Sequence, residues 1–306
     1  MVNAVGAPRS TRAAILVPFA LVTLIWGSTW LVIRDQLGVV PPSWSVTYRF
    51  LVAGIAMAVV ARVKGERFAL DGRGWAFAAA VGVLQFCLNF NFVYRAEHHI
   101  TSGLVAVVFA ILLVPNALFA RILLGQRMGG QLIAGSAVAM AGIALLFLHE
   151  ARSGPAGTAA TLAGIGFTGV AILAASMANV LQATPTAKRY PMMATLAVSM
   201  LIGAGVDGAV AWWLTGPPVV ETRAAYWAGI AYLGLFGSAI AFPLYYKVLR
   251  VIGPAKAAYS SVIVPVIAML LSTLFEGYIW SPLAAAGAVL TGIGLVIALR
   301  ARRPNR

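Results

Sequence analysis

The sequence predicts an all-α integral membrane protein. Three observations carry that prediction: a very apolar composition, the length of the apolar segments and the placement of the basic residues. Of 306 residues, 61% are hydrophobic and 10% are charged, and the mean hydropathy is +0.91. A chain of that composition cannot cover its apolar surface in water. A helix rises about 1.5 Å per residue, so a hydrocarbon core of about 30 Å requires about 20 apolar residues. Ten such segments are present, near residues 13–33, 44–62, 75–95, 100–120, 131–149, 158–181, 191–215, 225–246, 254–275 and 281–299. Barrel strands would be about ten residues long and would alternate polar with apolar. The segments do neither, and almost no chain is left over for a soluble domain.

Taken in order, segment 1 follows a short basic stretch with Arg9 and Arg12, as a signal peptide would. At roughly 21 residues it is long enough to span, and it is read as an uncleaved helix. Segment 2 carries Arg49, and segment 3 carries the single cysteine, Cys87, which excludes an internal disulfide. Segments 4 and 9 contain the dipeptides Val114-Pro115 and Val264-Pro265, and segment 7 contains Asp207. Trp44, Trp75, Trp212, Trp213, Trp227 and Trp280 lie near segment ends and read as interfacial anchors. His98 and His99 fall in a short loop after Glu97 and have no partner cluster, so no metal site is expected there. Gly125 and Gly129 read as turn residues.

The net charge of +14 could suggest a nucleic-acid partner, but its placement is a topology signal. With both termini in the cytoplasm, seventeen basic residues fall on the cytoplasmic side and four on the other, namely Arg34, Arg95, Arg152 and Arg223. That asymmetry satisfies the positive-inside rule for ten spans. The partner implied is the lipid bilayer, with no nucleic acid.

Residues 101–150 align without a gap on residues 251–300, with eight identities against roughly five expected by chance in so apolar a composition. They include Gly103 with Gly253, Val114-Pro115 with Val264-Pro265 and Gly142-Ile143 with Gly292-Ile293. The expected division is therefore residues 1–150 and residues 151–306, with five spans in each. A second copy of an odd-span unit enters the bilayer upside down, and inverted repeats of this kind recur in secondary transporters.

Ile25-Trp26-Gly27-Ser28, Tyr48-Arg49-Phe50, Val114-Pro115 with Leu124-Gly125-Gln126, and Val264-Pro265 with Phe275-Glu276-Gly277 resemble the EamA domain of the drug/metabolite transporter superfamily. The resemblance covers nearly the whole chain in two copies. It implies ten helices in two inverted EamA repeats and a central cavity lined chiefly by segments 1, 3, 4, 6, 8 and 9. Two departures stand out: Gln126 where the family usually has glutamate, kept as Glu276 in the second copy, and Ser176 where the second copy would repeat Trp26.

A midplane site requires a few polar groups among apolar and aromatic walls. Gln85, Asn89 and Phe92 recur at i, i+4 and i+7 in segment 3, and Ser238, Phe242 and Tyr245 form a comparable stripe in segment 8. Trp26, Ser28 and Trp30 in segment 1, Phe109 in segment 4, Ser176 and Asn179 in segment 6, and Tyr259 and Ser260 in segment 9 complete the candidate substrate-binding set. The competing reading is interhelical hydrogen-bond glue and bundle filling. Catalytic residues, metal ligands and cofactors are not expected. Arg49 and Asp207 both fall roughly 10 Å below the outer surface on helical rise. That depth would permit an ion pair if helices 2 and 7 met, with Arg49 otherwise read as a headgroup anchor.

The lining segments named by the resemblance carry no cation and no clear carboxylate. Strongly anionic substrates and drug cations therefore fit poorly, and an uncharged or zwitterionic metabolite fits best. Amino acids, aromatic or hydrophobic ones in particular, are the expected class, and the resemblance is greatest to the amino-acid exporter branch, which implies efflux; a monomer in the inner (cytoplasmic) membrane is expected. A membrane-embedded enzyme and a drug or other-metabolite exporter of the same fold are the alternatives.

Overall fold

The computed structural model describes residues 9–126, 129–153, 157–252, 257 and 260–299. Every regular element among them is helical. We label the principal helices α1 (Arg9–Asp35), α2 (Pro42–Val63), α3 (Gly72–Glu97), α4 (Ser102–Leu124), α5 (Gly130–Ser153), α6 (Gly157–Gln182), α7 (Met192–Thr215), α8 (Ala224–Val251), α9 (Ser260–Phe275) and α10 (Pro282–Leu299). Eight helices, α1 to α8, are long and apolar enough to cross a membrane, and the stretches Ile263–Phe275 and Pro282–Ala298 are shorter apolar helices. Large apolar side chains such as Leu24, Ile122, Trp213, Val266 and Leu270 are exposed, an outer surface suited to lipid rather than water.

Local chemistry sets the ends. Asp71 caps α3 by accepting from the Gly74 amide at 2.8 Å, which satisfies one of the orphan donors of a first turn. Gly125 closes α4 with φ of 65°, a left-handed conformation that glycine adopts without a Cβ clash. Three helices are irregular midway. α3 is π-helical over Gly82–Asn89, α8 over Leu235–Ile240, and α4 tightens to 3-10 over Ala110–Leu112. The last precedes Pro115, which lacks the N–H that would close a regular turn. A π segment inserts an extra residue into the helical spiral and re-aims the side chains beyond it.

Packing pairs α5 with α10, α2 with α7 and α4 with α9, sets α1 against α8 and α9, α6 against α3 and α4, and brings α3 to α7 and α8 to α2. Exchanging each of α1–α5 with its counterpart among α6–α10 carries these pairings onto one another. One pairing that the sequence permits is absent here, and one sequence expectation fails. Helices 2 and 7 do meet, with Leu201 closing on Gly54, yet Arg49 and Asp207 form no ion pair. Asp207 instead accepts from the Asn91 amide, and Asn91 in turn accepts from Ser43 at 2.6 Å. Trp44 is also no interfacial anchor. It is buried with Val40, Ala211, Tyr226 and Ile230, because its indole N–H donates to the Gly216 carbonyl at 3.3 Å, across the α2–α7 contact. Trp75, Trp212, Trp213, Trp227 and Trp280 are exposed.

Candidate functional site

At the centre of the bundle lies a cavity of about 100 Å³. Its wall is assembled from α1 (Trp26, Thr29, Trp30, Ile33), α2 (Arg49), α3 (Gln85, Asn89, Phe90, Val93), α4 (Phe109 and neighbours), α6 (Ala175, Asn179), α8 (Phe242, Tyr245) and α9 (Val264, Pro265). The irregular stretches converge on it. Gln85 and Asn89 come from the π segment of α3, Phe109 leads into the 3-10 turn of α4, and Pro265 punctuates α9.

The aromatic side chains of the wall form two groups. The Trp26 ring sits 5.4 Å from Phe242 and 4.9 Å from Tyr245, centroid to centroid, and Trp30 sits 5.5 Å from Phe109. The Trp26 indole N–H donates to the Gly237 carbonyl at 3.1 Å, a carbonyl within the π segment of α8, so this ring is fixed in place by the other half of the chain. Asn89 Nδ2 donates weakly to the Gln85 carbonyl at 3.4 Å.

Arg49 enters this wall with only 1% of its surface exposed. Its Nε donates to Ser238 Oγ at 3.1 Å, and Ser238 Oγ donates onward to the Leu233 carbonyl at 2.8 Å. The guanidinium lies 4.2 Å over the Phe90 ring and 5.3 Å from Phe50, the geometry of a cation–π contact. Among the described residues no carboxylate lies within 4.0 Å of it. Among the described residues, Arg49 Nη1, Trp30 Nε1, Gln85 Oε1 and Asn89 Oδ1 are buried with no hydrogen-bond partner. Unpaired buried polar groups are costly, and here the four belong to residues that line one cavity.

The structure therefore brings eight of the sequence candidates together in the wall: Trp26, Trp30, Gln85, Asn89, Phe109, Asn179, Phe242 and Tyr245. Four others lie elsewhere. The Ser28 hydroxyl is 2.7 Å from that of Tyr232 and donates to the Ile25 carbonyl, so it belongs to the α1–α8 contact. Phe92 packs on Phe167 of α6, centroids 5.9 Å apart, because the π turn swings it off the Gln85–Asn89 stripe. Ser176 is buried beside the wall without lining it. Ser238 acts through Arg49. Tyr259 lies outside the described residues, as does the side chain of Ser260.

Arg49 is the main residue that the sequence reading misplaced. It is not a headgroup anchor, and it overturns the expectation of a cavity without a cation. The rule that a charge at depth is functional by default could have found it, but the helix that carries it was absent from the expected lining set.

Away from the cavity, Glu276 Oε2 accepts from Ser272 Oγ at 2.6 Å and from the Ser102 amide at 3.2 Å, which ties α9 to the first turn of α4. Arg34 donates to the main-chain carbonyl of Glu97. Beside them His98, beyond the end of α3, is held below its usual pKa by burial and by the cations Arg34, His99 and Arg95.

Comparison with known proteins places this architecture. The model of the EamA-like transporter family matches residues 13–148 and 158–300. The chain is 30% identical over 283 residues to the uncharacterized inner membrane transporter YedA of Escherichia coli strain K12, covering 89% of this chain and 87% of that protein. It is 30% identical over 293 residues to a probable terminal-alkyne amino-acid exporter of Streptantibioticus cattleyicolor, covering 94% and 93%, and 24% identical to protein PagO of Salmonella typhimurium over 95% and 94%. A solved crystal structure of 21% identity superposes with a TM-score of 0.68 over 95% of this chain and 98% of that one, a likeness of fold.

Proposed function

The chain belongs to the EamA-like transporter family, and from that premise we propose that it is a secondary carrier of small zwitterionic or neutral metabolites, chiefly aromatic and hydrophobic amino acids. It is a multi-pass protein of the inner membrane. On our reading it has ten spans in two inverted repeats, residues 1–150 and 151–306, with both termini cytoplasmic. The two repeats exchange inward-open and outward-open states around one central site. The exporter among its relatives supports outward movement.

One observation carries the reading. A cavity between the two halves combines aromatic rings in edge and tilted contact with residues whose buried polar atoms no described protein group satisfies. Such a wall suits a ligand with an apolar body and a few hydrogen-bonding groups. An enzyme would place an acid, base or nucleophile there, and the described wall contains no Asp, Glu, His, Cys or Ser.

Counterflow in proteoliposomes across a panel of amino acids, with and without an imposed pH gradient, tests the proposal. We expect phenylalanine, tyrosine or leucine to exchange chemically unchanged, and Asn179→Ala and Phe242→Ala to lower the initial rate by roughly tenfold without loss of monodisperse protein. An absence of flux for every amino acid sinks the reading.

A further inference from the structure

The four unpartnered atoms in the cavity divide by chemistry. Arg49 Nη1 and Trp30 Nε1 are donors, whereas Gln85 Oε1 and Asn89 Oδ1 are acceptors. Both donors are obligatory, since neither guanidinium nor indole N–H can accept. Arg49 is also charged at any working pH, and its Nε is already committed to Ser238. What remains unpaired among the described residues is a cationic N–H at Nη1, whose counter-charge the described wall does not supply. From outside the wall Tyr94 first, and then Glu97 from beyond ion-pair range, also act on this guanidinium.

Resting on the carrier reading above, we infer that Arg49 and Trp30 bind the α-carboxylate of the substrate while the side-chain carbonyls of Gln85 and Asn89 receive its α-ammonium group. A carboxylate is the planar anion that a guanidinium edge fits, and charge-assisted hydrogen bonds are the strong ones in a dry site. An ammonium group brings three donors and no acceptor, and the two amide oxygens one helical turn apart offer what it needs. Phe242 and Tyr245 are left for the side chain, which sets apolar or aromatic preference without fixing identity. A single cation and no carboxylate in the wall also fit a monoanion with a compensating positive charge better than a phosphate dianion or a simple drug cation.

The test is a competition panel on the purified full chain in proteoliposomes, with radiolabelled phenylalanine as the counterflow probe. Phenylalaninamide keeps the ammonium group and removes the carboxylate; 3-phenylpropionate does the opposite. In the wild type each should compete at least roughly tenfold less well than phenylalanine, as loss of a charged hydrogen bond in a buried site implies. Arg49→Gln should bring phenylalaninamide within about twofold of phenylalanine while 3-phenylpropionate stays weak. Asn89→Leu should relieve the penalty against 3-phenylpropionate instead.

Equal competition by phenylalaninamide in the wild type, or undiminished discrimination in Arg49→Gln, overturns the inference and leaves amino-acid transport standing. No flux of any amino acid overturns the carrier reading along with it. Should Arg49→Gln fail to fold, the wild-type ranking decides, supported by Arg49→Lys, which keeps the charge and should retain part of the discrimination.

Discussion

The seam between α5 and α10 and the wall of the central cavity are both made by helices at corresponding places in the two halves, yet they treat their backbones and polar atoms in opposite ways. In the seam, glycines bring main chains into direct contact. A Cβ built on Gly294 would lie 2.2 Å from the Ala139 nitrogen, one on Gly135 2.3 Å from the Ala298 nitrogen, and one on Gly142 2.4 Å from the Thr291 nitrogen. Its hydroxyls are satisfied within their own helices, Thr291 by the Gly287 carbonyl and Ser136 by the Leu132 carbonyl. At the cavity, by contrast, helices pass through π-helical stretches, and among the described residues several buried polar atoms stay unpaired. Small-residue contact drives association where lipid removes the hydrophobic incentive. The seam is therefore scaffold, and the cavity, where residues with unpaired polar atoms gather beside aromatic rings, is the part suited to a ligand.

The strongest way to break that contrast is to load the seam. Gly294→Val places a branched side chain where the Ala139 and Gly135 backbones already sit, and neither backbone is free to yield. The cost should exceed the roughly 1–3 kcal/mol of ordinary overpacking, and little or no monodisperse protein should be recovered from detergent. Gly292→Ala on the same helix, whose Cβ meets nothing, is the control and should behave as wild type. Normal yield and melting temperature for Gly294→Val would mean that the two helices separate easily, and the seam could not then serve as scaffold.

Legibility in the sequence follows the same division. Spans could be read because a bilayer imposes length and apolarity on each helix separately, and eight of the described helices meet both requirements. Lateral contacts could not, since nothing in segments 2 and 7 by themselves says that Gly54 takes Leu201. The polar stripes were half legible. Gln85 and Asn89 reach the cavity at the i, i+4 spacing of an ordinary helix, but the π turn in which they lie breaks the periodicity that should have carried Phe92 along with them. Ser238 lies in the matching π segment and gives its lone pair to Arg49. The sequence shows which residues can make hydrogen bonds, not which partner each will take.

Asp207 sharpens the comparison at intermediate scale, because it is as buried as Arg49 but sits on the scaffold side. Its Oδ1 accepts from Asn91, whose own Oδ1 is held by Ser43, so α2, α3 and α7 are tied through one amide. Asp207→Leu removes that acceptor and should cost about 1–3 kcal/mol, read as a lower melting temperature, with flux per folded molecule unchanged. Asp207→Asn keeps an acceptor of nearly the same shape and should sit close to wild type in both respects. Loss of flux at unchanged stability in Asp207→Asn would move this residue into the transport machinery and erase the distinction between the two buried ionisable residues.

The smallest effect is expected where the halves touch at an exposed polar contact, between the loop before α3 and the loop before α7. The Asp71 carboxylate accepts from the Tyr190 hydroxyl and from the Gly74 amide, with Arg189 Nη2 at 3.8 Å. The Tyr190 hydrogen bond first, then the Gly74 amide and the nearby Arg189 and Arg73, hold its pKa below the ordinary 3.8. A carboxyl whose pKa is lower folded than unfolded contributes stability above the unfolded value, and that contribution disappears as pH falls through the folded one. Asp71→Asn keeps the cap and removes the charge. The variant should melt slightly below wild type at pH 7, and the gap should close as pH drops below 3.8 and shrink in high salt, since exposed charge pairs are screened. A gap that does not narrow at all as pH falls below 3.8 would assign the difference to packing of Tyr190 on Gly74 rather than to charge. A change in flux rather than in melting would make this contact a gate between the halves, and polarity at the surface would then share the role that the comparison reserves for the cavity.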